Sequence, residues 1–127
     1  MRVSELRPRD AITVSKAESL RGAAKLLNDD EVGALVVIGA TDIDGIFSER
    51  DLSRAVADGV DLDEAEVCEY MTLAPVTVDT DSYLGEVIAD MNEFAIRHVV
   101  VMKDGEPLGM VSMRDVVALL GTRWPEL

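Results

Sequence analysis

The stretch Gly45-Ile46-Phe47-Ser48-Glu49-Arg50-Asp51 recurs later in the chain as Gly109-Met110-Val111-Ser112-Met113-Arg114-Asp115. The shift that takes residue 45 to residue 109 is 64 residues, and it lays the chain on itself without a gap. The same shift superposes Ile12-Thr13-Val14 on Val76-Thr77-Val78. Matched stretches at one constant spacing are the signature of an internal duplication. The sequence therefore predicts two copies of one structural unit.

The length of the chain limits what these copies are. At 127 residues it has about the size of one ordinary domain. The two repeats, residues 1–60 and 61–127, are each too short for a good core of their own, so we expect them to pack on each other as one integrated module. Hydrophobic residues make up 48% of the chain, but no apolar run approaches the roughly 18 residues of a membrane span. We therefore expect a globular protein without a membrane partner.

Cysteine content and the first residues bear on the compartment. The single cysteine, Cys68, excludes an internal disulfide and fits a reducing environment, and we expect its thiol to be packed and inert. The first eight residues contain no continuous apolar core before a small-residue cleavage site, so they do not read as a signal peptide. The default expectation is a cytoplasmic protein.

The charge balance is strongly acidic, with 25 Asp and Glu against 12 Lys and Arg and a net charge of −13. Binding to nucleic acid needs a basic face that replaces condensed counterions, so we expect no nucleic-acid partner. Anionic lipid is disfavoured for the same reason. The acidity is typical of a solvated surface, as in a cell with high internal salt, but it also fits an acidic, cation-responsive module.

Each copy contains an amphipathic helix with apolar residues at i, i+3, i+4 and i+7. These positions are Leu20, Ala23, Ala24 and Leu27 in the first copy and Leu84, Val87, Ile88 and Met91 in the second. Ser15 and Glu18 have the spacing of a capping box before the first helix. Between the copies, a short helix is predicted around residues 64–71.

Short β-branched runs follow the amphipathic helices, at residues 34–38 and 98–102. Lys103-Asp104-Gly105-Glu106 predicts a hairpin turn after the second run, and Thr41-Asp42-Ile43-Asp44 is its weaker equivalent. A further strand then leads into a last helix in each copy, which gives the order β-α-β-β-α. Trp124, beyond the last helix, is expected to cover an apolar seam.

This order of elements, the repeat of roughly 60 residues and the Gly-h-h-Ser-x-x-Asp ending resemble the cystathionine-β-synthase (CBS) domain. The segment Tyr70–Val78 also resembles the usual opening of the family. The resemblance covers nearly the whole chain, as a tandem pair without an attached enzyme or channel. It implies an α/β fold of two CBS-type repeats packed as a pseudo-two-fold pair, a Bateman module. Val36 and Val100 stand where the family usually has proline in its middle strand.

The resemblance also implies a function. Such pairs typically bind adenosine-containing ligands, namely AMP, ADP, ATP or S-adenosylmethionine, in clefts between the repeats, and they regulate a partner protein. No cofactor or metal is required. The implied ligand-binding residues are Ala11, Ile12, Thr13, Ile46, Ser48, Arg50, Asp51, Thr72, Pro75, Val76, Thr77, Arg97, His98, Met110, Ser112, Arg114 and Asp115. Among them, Ala11, Ile12 and Thr13 would form one adenine wall with Ile46, and Thr72, Pro75, Val76 and Thr77 the other with Met110.

The chemistry of the repeated ending agrees with that role. A strand that ends at Ser48 or Ser112 and turns into a helix presents backbone N–H groups and the positive end of a helix dipole, which favour a phosphate. Three residues later, Asp51 or Asp115 lies on the same side of the first helical turn, where a carboxylate accepts hydrogen bonds from a ribose diol. We expect both aspartates at exposed helix starts. The alternative is that Ser and Asp only cap the helix and offset its dipole.

The two copies differ before the middle strand. Arg97 and His98 stand where the family often has a basic pair that faces phosphate, whereas the first copy has Gly33 and Ala34. By resemblance, the basic pair lies near the site of Asp51. That site is then expected to prefer the more phosphorylated nucleotide, because arginine supplies a planar, two-pronged donor.

Enzymatic activity is not expected. The chain contains no Gly-x-Gly, no Gly-Lys, no His-Glu-x-x-His and no Cys-x-x-Cys, so the signatures of dinucleotide, P-loop and zinc sites are missing. One histidine and one cysteine make a pair of nucleophile and base hard to build. Besides ligand sensing, a structural dimerisation module without ligand stays open. In either case we expect a homodimer, paired through the helices around residues 84–91 and 116–120, and a regulated partner that the sequence does not identify.

Overall fold

The computed structural model of the protein describes residues 1–39 and 43–122. The chain divides into two compact units. Unit 1 joins Met1–Ala11 to Val76–Leu127, and unit 2 is Ile12–Pro75. The predicted limits at residues 60 and 61 concern the sequence repeats; the compact units are grouped differently, because each takes its lead-in segment from the other sequence repeat. Trp124, and residues 41 and 42 of the hairpin turn predicted at residues 41–44, lie outside the described residues.

The elements alternate as the sequence predicts. In chain order they are a 3-10 helix (Val3–Leu6), β1 (Arg9–Asp10), β2 (Thr13–Ser15), α1 (Leu20–Asp29), β3 (Ala34–Ile38), β4 (Ile43–Ser48), α2 (Glu49–Asp58), α3 (Val67–Tyr70), β5 (Thr72–Leu73), β6 (Thr77–Asp79), α4 (Leu84–Phe94), β7 (His98–Lys103), β8 (Glu106–Ser112) and α5 (Met113–Thr122). The expected α/β order β-α-β-β-α is thus confirmed from β2 to α2 and again from β6 to α5. The short strands β1 and β5 are additional.

Each unit contains one four-stranded sheet, with strand order β2-β3-β4-β5 in unit 2 and β1-β8-β7-β6 in unit 1. Strands β2 and β3 are parallel, as are β6 and β7, and the other neighbours are antiparallel. In unit 2, Leu35 and Val37 pack with Leu20 of α1 in the core, and all three are fully buried. Val36, which alternates with them, is buried on the opposite face of the sheet. The β3 strand is thus buried on both faces, as its continuous apolar run suggests.

The hairpin between β7 and β8 forms where the sequence predicts it. Asp104 and Gly105 connect the strands, with φ angles of 52° and 79°. Two successive positive φ values are typical of a type I′ turn, whose twist matches that of the flanking strands. The Asp-Gly pair therefore fixes the register of this hairpin.

The predicted capping box of α1 is wrong. The helix begins at Leu20, and its N-cap is Ser19, whose Oγ accepts a hydrogen bond from the backbone N–H of Gly22 at 3.0 Å. Ser15 instead accepts from the N–H of Ala17 at 3.2 Å, in the turn before the helix. The position of the first buried side chain, Leu20, sets the start of the helix, and Ser19 is next to it. The predicted packing of Cys68 is also wrong, because its residue is exposed on α3.

The lead-in segments are held in the same way in both units. The N–H of Val3 donates to the carbonyl of Ser82 at 2.8 Å, and that of Val67, 64 residues later, donates to Glu18 at 2.9 Å. Val3 and Val67 are both fully buried. Further matching pairs are Ser4 to Thr80 with Cys68 to Lys16, and Leu84 to Met1 with Leu20 to Ala65. Each lead-in segment is therefore an integral part of its unit.

Candidate functional site

The Ser-x-x-Asp endings form the same structure in both units. Ser48 follows the last buried residues of β4 and caps α2, and Ser112 occupies the equivalent place between β8 and α5. The N–H of each serine donates to Oδ2 of its aspartate, Asp51 or Asp115, at 2.9 Å. In return the aspartate N–H donates to the serine Oγ, at 3.3 Å for Asp51 and 3.1 Å for Asp115. Each motif is thus a closed capping box.

Asp51 is buried, which corrects the expectation of an exposed helix start. Only 3% of the residue is exposed, and it is the buried charged residue of the described chain. Its Oδ2 also accepts a hydrogen bond from the hydroxyl of Ser48 at 3.1 Å. Its Oδ1 accepts one from Nη2 of Arg54 at 2.6 Å and one from Oγ1 of Thr72 at 3.2 Å. A carboxylate has about four acceptor positions, so this one is saturated by the protein's own donors.

Asp115 is more accessible. Its side chain is 24% exposed, and its Oδ1 lies 3.7 Å from Nε of Arg9, which is longer than a hydrogen bond. The Arg9 side chain is itself 59% exposed, so its ion pair with Asp115 is loosely held. Within residues 1–39 and 43–122, the capping N–H of Ser112 is the hydrogen-bond donor to this carboxylate. Oδ1 of Asp115 therefore retains the acceptor capacity that a ribose hydroxyl needs.

Thr72 and Arg9 occupy equivalent strand positions. Thr72 of β5 is paired with Ile46, two residues before Ser48, and Arg9 of β1 is paired with Met110, two residues before Ser112. Each contacts Oδ1 of the aspartate in its own unit. The family resemblance implied that Thr72 shares an adenine wall with Met110, whereas the observed strand partner of Thr72 is Ile46.

The other predicted wall residues lie on the strands next to these motifs. Ile12 and Val76 precede β2 and β6, and their carbonyls accept the N–H of Val36 at 2.9 Å and of Val100 at 3.1 Å. Ile46 and Met110 are buried. The remaining members divide between half-buried positions, Ala11 and Pro75, and exposed ones, Thr13, Thr77, Arg50 and Arg114. In unit 2, Ile12, Thr13, Ile46, Ser48, Arg50, Asp51, Thr72 and Pro75 share one compact body; the other predicted residues belong to unit 1.

Arg97 directly precedes β7 in unit 1, and His98 is the first residue of that strand. The carbonyl of Arg97 accepts the N–H of Met113, the first residue of α5, at 2.7 Å, while its residue is exposed. His98 is half-buried and is paired in register with Ser112. In unit 2 the carbonyl of Gly33 holds the N–H of Glu49 in the same way, at 3.0 Å. In α2 and in α5, the first N–H group is thus bonded to this carbonyl and the third to the capping serine. Fewer N–H groups than expected are therefore free to bind a phosphate.

Two residues that contact the aspartates were missed from sequence. Arg54 lies one turn after Asp51 on α2, and this i, i+3 spacing of opposite charges is a recognisable signal for a pair on one helix face. Nη2 of Arg54 also donates to the carbonyl of Tyr70 at 3.0 Å, at the last residue of α3. Arg9 carries no comparable signal, because its contact with Asp115 depends on the pairing of β1 with β8.

Metal clusters and membrane spans are the other two features considered for the described residues. Among the residues that the structure describes, no group of three or more His, Cys, Asp or Glu side chains is arranged to hold a metal ion. None of the helices in that part of the chain has the length and apolarity needed to cross a membrane.

Comparison with known proteins identifies close structural relatives. A CBS-domain containing protein from Agrobacterium tumefaciens is 34% identical, with a TM-score of 0.87 over 94% of this chain and 99% of its own. A CBS domain protein from Pyrobaculum aerophilum, solved in complex with AMP, is 31% identical, with a TM-score of 0.83 over 96% of this chain and 99% of its own. Hypoxic response protein 1 of Mycobacterium tuberculosis is 28% identical over 81% of this chain and 73% of its own length.

The family model of the CBS domain matches twice, at residues 3–58 and 67–122. The two matches fall within the two sequence repeats and each includes one Ser-x-x-Asp motif. Together with the repeated β-α-β-β-α order and the shared fold of the solved relatives, they make the assignment direct. This chain belongs to the CBS domain family, as a tandem pair of CBS domains.

Proposed function

We propose that this protein is a cytoplasmic regulatory module that binds an adenosine-containing ligand through Asp51 and Asp115 and signals to a partner protein. The observation that carries the proposal is the repeated capping box, in which each aspartate is held by its serine N–H at 2.9 Å. This bond fixes Oδ2 of each aspartate. At Asp115 it leaves Oδ1 able to accept a hydrogen bond from a ribose hydroxyl, because the nearest cation, Arg9, lies 3.7 Å away. The Pyrobaculum relative that was solved with AMP supports the ligand class.

The candidate ligands are AMP, ADP, ATP and S-adenosylmethionine. The base would lie against apolar strand residues such as Ile46 and Met110, which are both at least nine-tenths buried. The phosphate or sulfonium end is expected to decide between the ligands. With a net charge of −13, the protein repels polyphosphates at long range, so discrimination depends on local cations such as Arg97. The proposal assigns no catalytic step to the protein.

A structural dimerisation module without ligand is the second candidate. It is favoured by one specific observation, the saturation of the Asp51 carboxylate by Ser48, Arg54 and Thr72. A carboxylate that is fully bonded within its own unit needs no ligand for its hydrogen bonds. The accessible Asp115 favours the sensing role instead.

Thermal melting against a panel of adenosine ligands tests the proposed function. A ligand present at about 100 times its dissociation constant adds about 2.7 kcal/mol to the free energy of unfolding. We expect at least one of AMP, ADP, ATP and S-adenosylmethionine to raise the melting temperature, while adenine, which lacks the ribose, does not. Guanosine monophosphate is the matched control for phosphate and ribose alone. No response to any ligand would favour the structural module.

A further inference from the structure

The two aspartates differ in one neighbour that the repeat does not conserve. Arg54 on α2 donates to Oδ1 of Asp51, but the residue 64 positions later on α5 is Ala118. An alanine carries no donor, so nothing on α5 occupies Oδ1 of Asp115 in this way. The difference lies on helices that match residue for residue, α2 and α5.

Tyr70 and Asp58 hold Arg54 in place in unit 2, and the residues at the matching positions of unit 1 are of other types. Nη2 of Arg54 is shared between Asp51 Oδ1 and the carbonyl of Tyr70. The hydroxyl of Tyr70 donates to Oδ2 of Asp58, at the end of α2, at 2.8 Å. The residues at the matching positions in unit 1 are Leu6 for Tyr70 and Thr122 for Asp58. A hydrogen-bonded chain from Asp51 through Arg54 and Tyr70 to Asp58 thus exists in unit 2 alone among the described residues.

From this arrangement we propose that Arg54 is a positioning residue that masks Asp51 and gives the two aspartate sites unequal affinity. The inference rests on the proposed function, because it concerns the ribose contact of the same ligand class. A ribose hydroxyl reaches Oδ1 of Asp51 only when Arg54 or Thr72 releases it, since the four acceptor positions are filled. At Asp115 the corresponding cation is Arg9, at 3.7 Å and well exposed, which a ligand displaces easily.

The direction of the effect follows from competition. A hydrogen bond between charged groups is the stronger kind, and Arg54 forms one at 2.6 Å. Its side chain is 58% exposed, so water recovers part of the lost interaction when it leaves. We therefore expect a penalty of about tenfold in affinity at the Asp51 site. If Arg54 had only a structural role, its removal would lower the affinity of the Asp51 site for the ligand. If it masks Asp51, its removal raises that affinity.

The test is a two-dimensional NMR titration with adenosine, which has the ribose but no phosphate. The amide signals of Ser48 and Ser112 report the two sites separately, because each N–H is bonded to the aspartate in question at 2.9 Å. In the parent protein, the Ser112 signal is expected to respond at lower adenosine concentration than the Ser48 signal. In Arg54→Ala, the midpoint at Ser48 should fall about tenfold, while the midpoint at Ser112 stays the same.

The reciprocal variant is Ala118→Arg, which places an arginine at the matching position of α5. It should raise the midpoint at Ser112 and leave Ser48 unchanged, and it keeps the test decisive if Arg54→Ala fails to fold. A Ser48 midpoint in Arg54→Ala that is unchanged or higher, with Ser112 still responding, would overturn the inference alone. If neither signal responds to adenosine or to the ligand panel in any variant, the proposed function falls and the inference falls with it.

Discussion

Tyr70 donates its phenolic hydrogen to Oδ2 of Asp58 at 2.8 Å, which joins the last residue of α3 to the last residue of α2. This hydrogen bond, with a smaller contribution from burial, raises the pKa of Tyr70 above its ordinary value of 10.0. Because the folded pKa is raised, the contribution to stability is present at pH values below the ordinary pKa. It is lost as the pH rises through the folded pKa.

The first prediction follows from this bond. Asp58→Ala should return the pKa of Tyr70 towards its ordinary value, because the acceptor and its negative charge are removed. Ultraviolet absorbance of tyrosinate measures the titration, in a Tyr83→Phe background because the chain has two tyrosines. Asp61→Ala is the matched control, since it removes an exposed carboxylate that does not bind Tyr70. An unchanged titration in Asp58→Ala would contradict the role of the hydrogen bond.

The second prediction concerns the two aspartates. Asp51→Ala should lower the free energy of unfolding by about 1 to 3 kcal/mol more than Asp115→Ala, because it leaves the donors of Arg54 and Thr72 without their acceptor. Both variants should weaken binding of ribosyl ligands. Urea unfolding measures the first effect and calorimetry the second. Equal loss of stability in the two variants would show that the contacts of Arg54 and Thr72 contribute little.

The third prediction is that Arg97 discriminates by phosphate. Arg97→Ala should weaken binding of ATP by about tenfold, AMP less and adenosine hardly at all, because a guanidinium bonds phosphate oxygens in a bidentate way. Lys103→Ala is the control, since it removes one exposed positive charge at the other end of β7 and changes the net charge equally. Calorimetry with the three ligands measures the effect. A uniform loss across all three would mean that Arg97 supports the strand instead.

The fourth prediction is a homodimer. In unit 1, α4 exposes 53% of Phe94 and 40% of Ile88, and α5 exposes 61% of Val117. These exposed apolar side chains are our candidates for the contact surface between two copies. The net charge of −13 opposes pairing, so we expect more dimer at high salt than at low salt. Light scattering measures the mass.

Two variants localise the predicted interface. Val117→Asp should give a monomer, whereas Leu108→Asp, which changes a 45% exposed residue of β8, should not. A monomeric parent protein at both salt concentrations would rule the dimer out. Dissociation by both variants would mean that pairing is not confined to α4 and α5.

The order of the main helices and strands could be predicted from the sequence, because each has its own local pattern of apolar residues. The run at residues 34–38 coincides with β3, and the Asp104-Gly105 turn falls where predicted. Ile88 belongs to the same apolar pattern as Val87, yet Ile88 is 40% exposed whereas Val87 is fully buried. Periodicity gives the width of an apolar face and does not show how much of it a neighbour covers.

The motif residues of the site could be predicted from the sequence, but their burial and hydrogen-bond partners could not. Ser48, Asp51, Ser112 and Asp115 are found where the repeat places them, and their capping boxes follow from spacing alone. The full hydrogen bonding of Asp51 could not be predicted, because one of its donors is Thr72, a residue 21 positions later that reaches it through the pairing of β5 with β4. Contacts between distant segments are decided by strand pairing, which leaves no local signal.

Each compact unit includes a lead-in segment from the other sequence repeat, and this arrangement sets an order of folding during synthesis. Unit 2 is one continuous stretch, Ile12–Pro75, so its sheet can close as soon as β5 leaves the ribosome. Strand β1, although made earlier, has to wait until Gly109 and Met110 of β8 have been translated. Because closing so long a loop slows folding, the middle of the chain completes its fold before its first strand does. Arg9 and Asp10 thus find their strand partners only after the middle of the chain has folded.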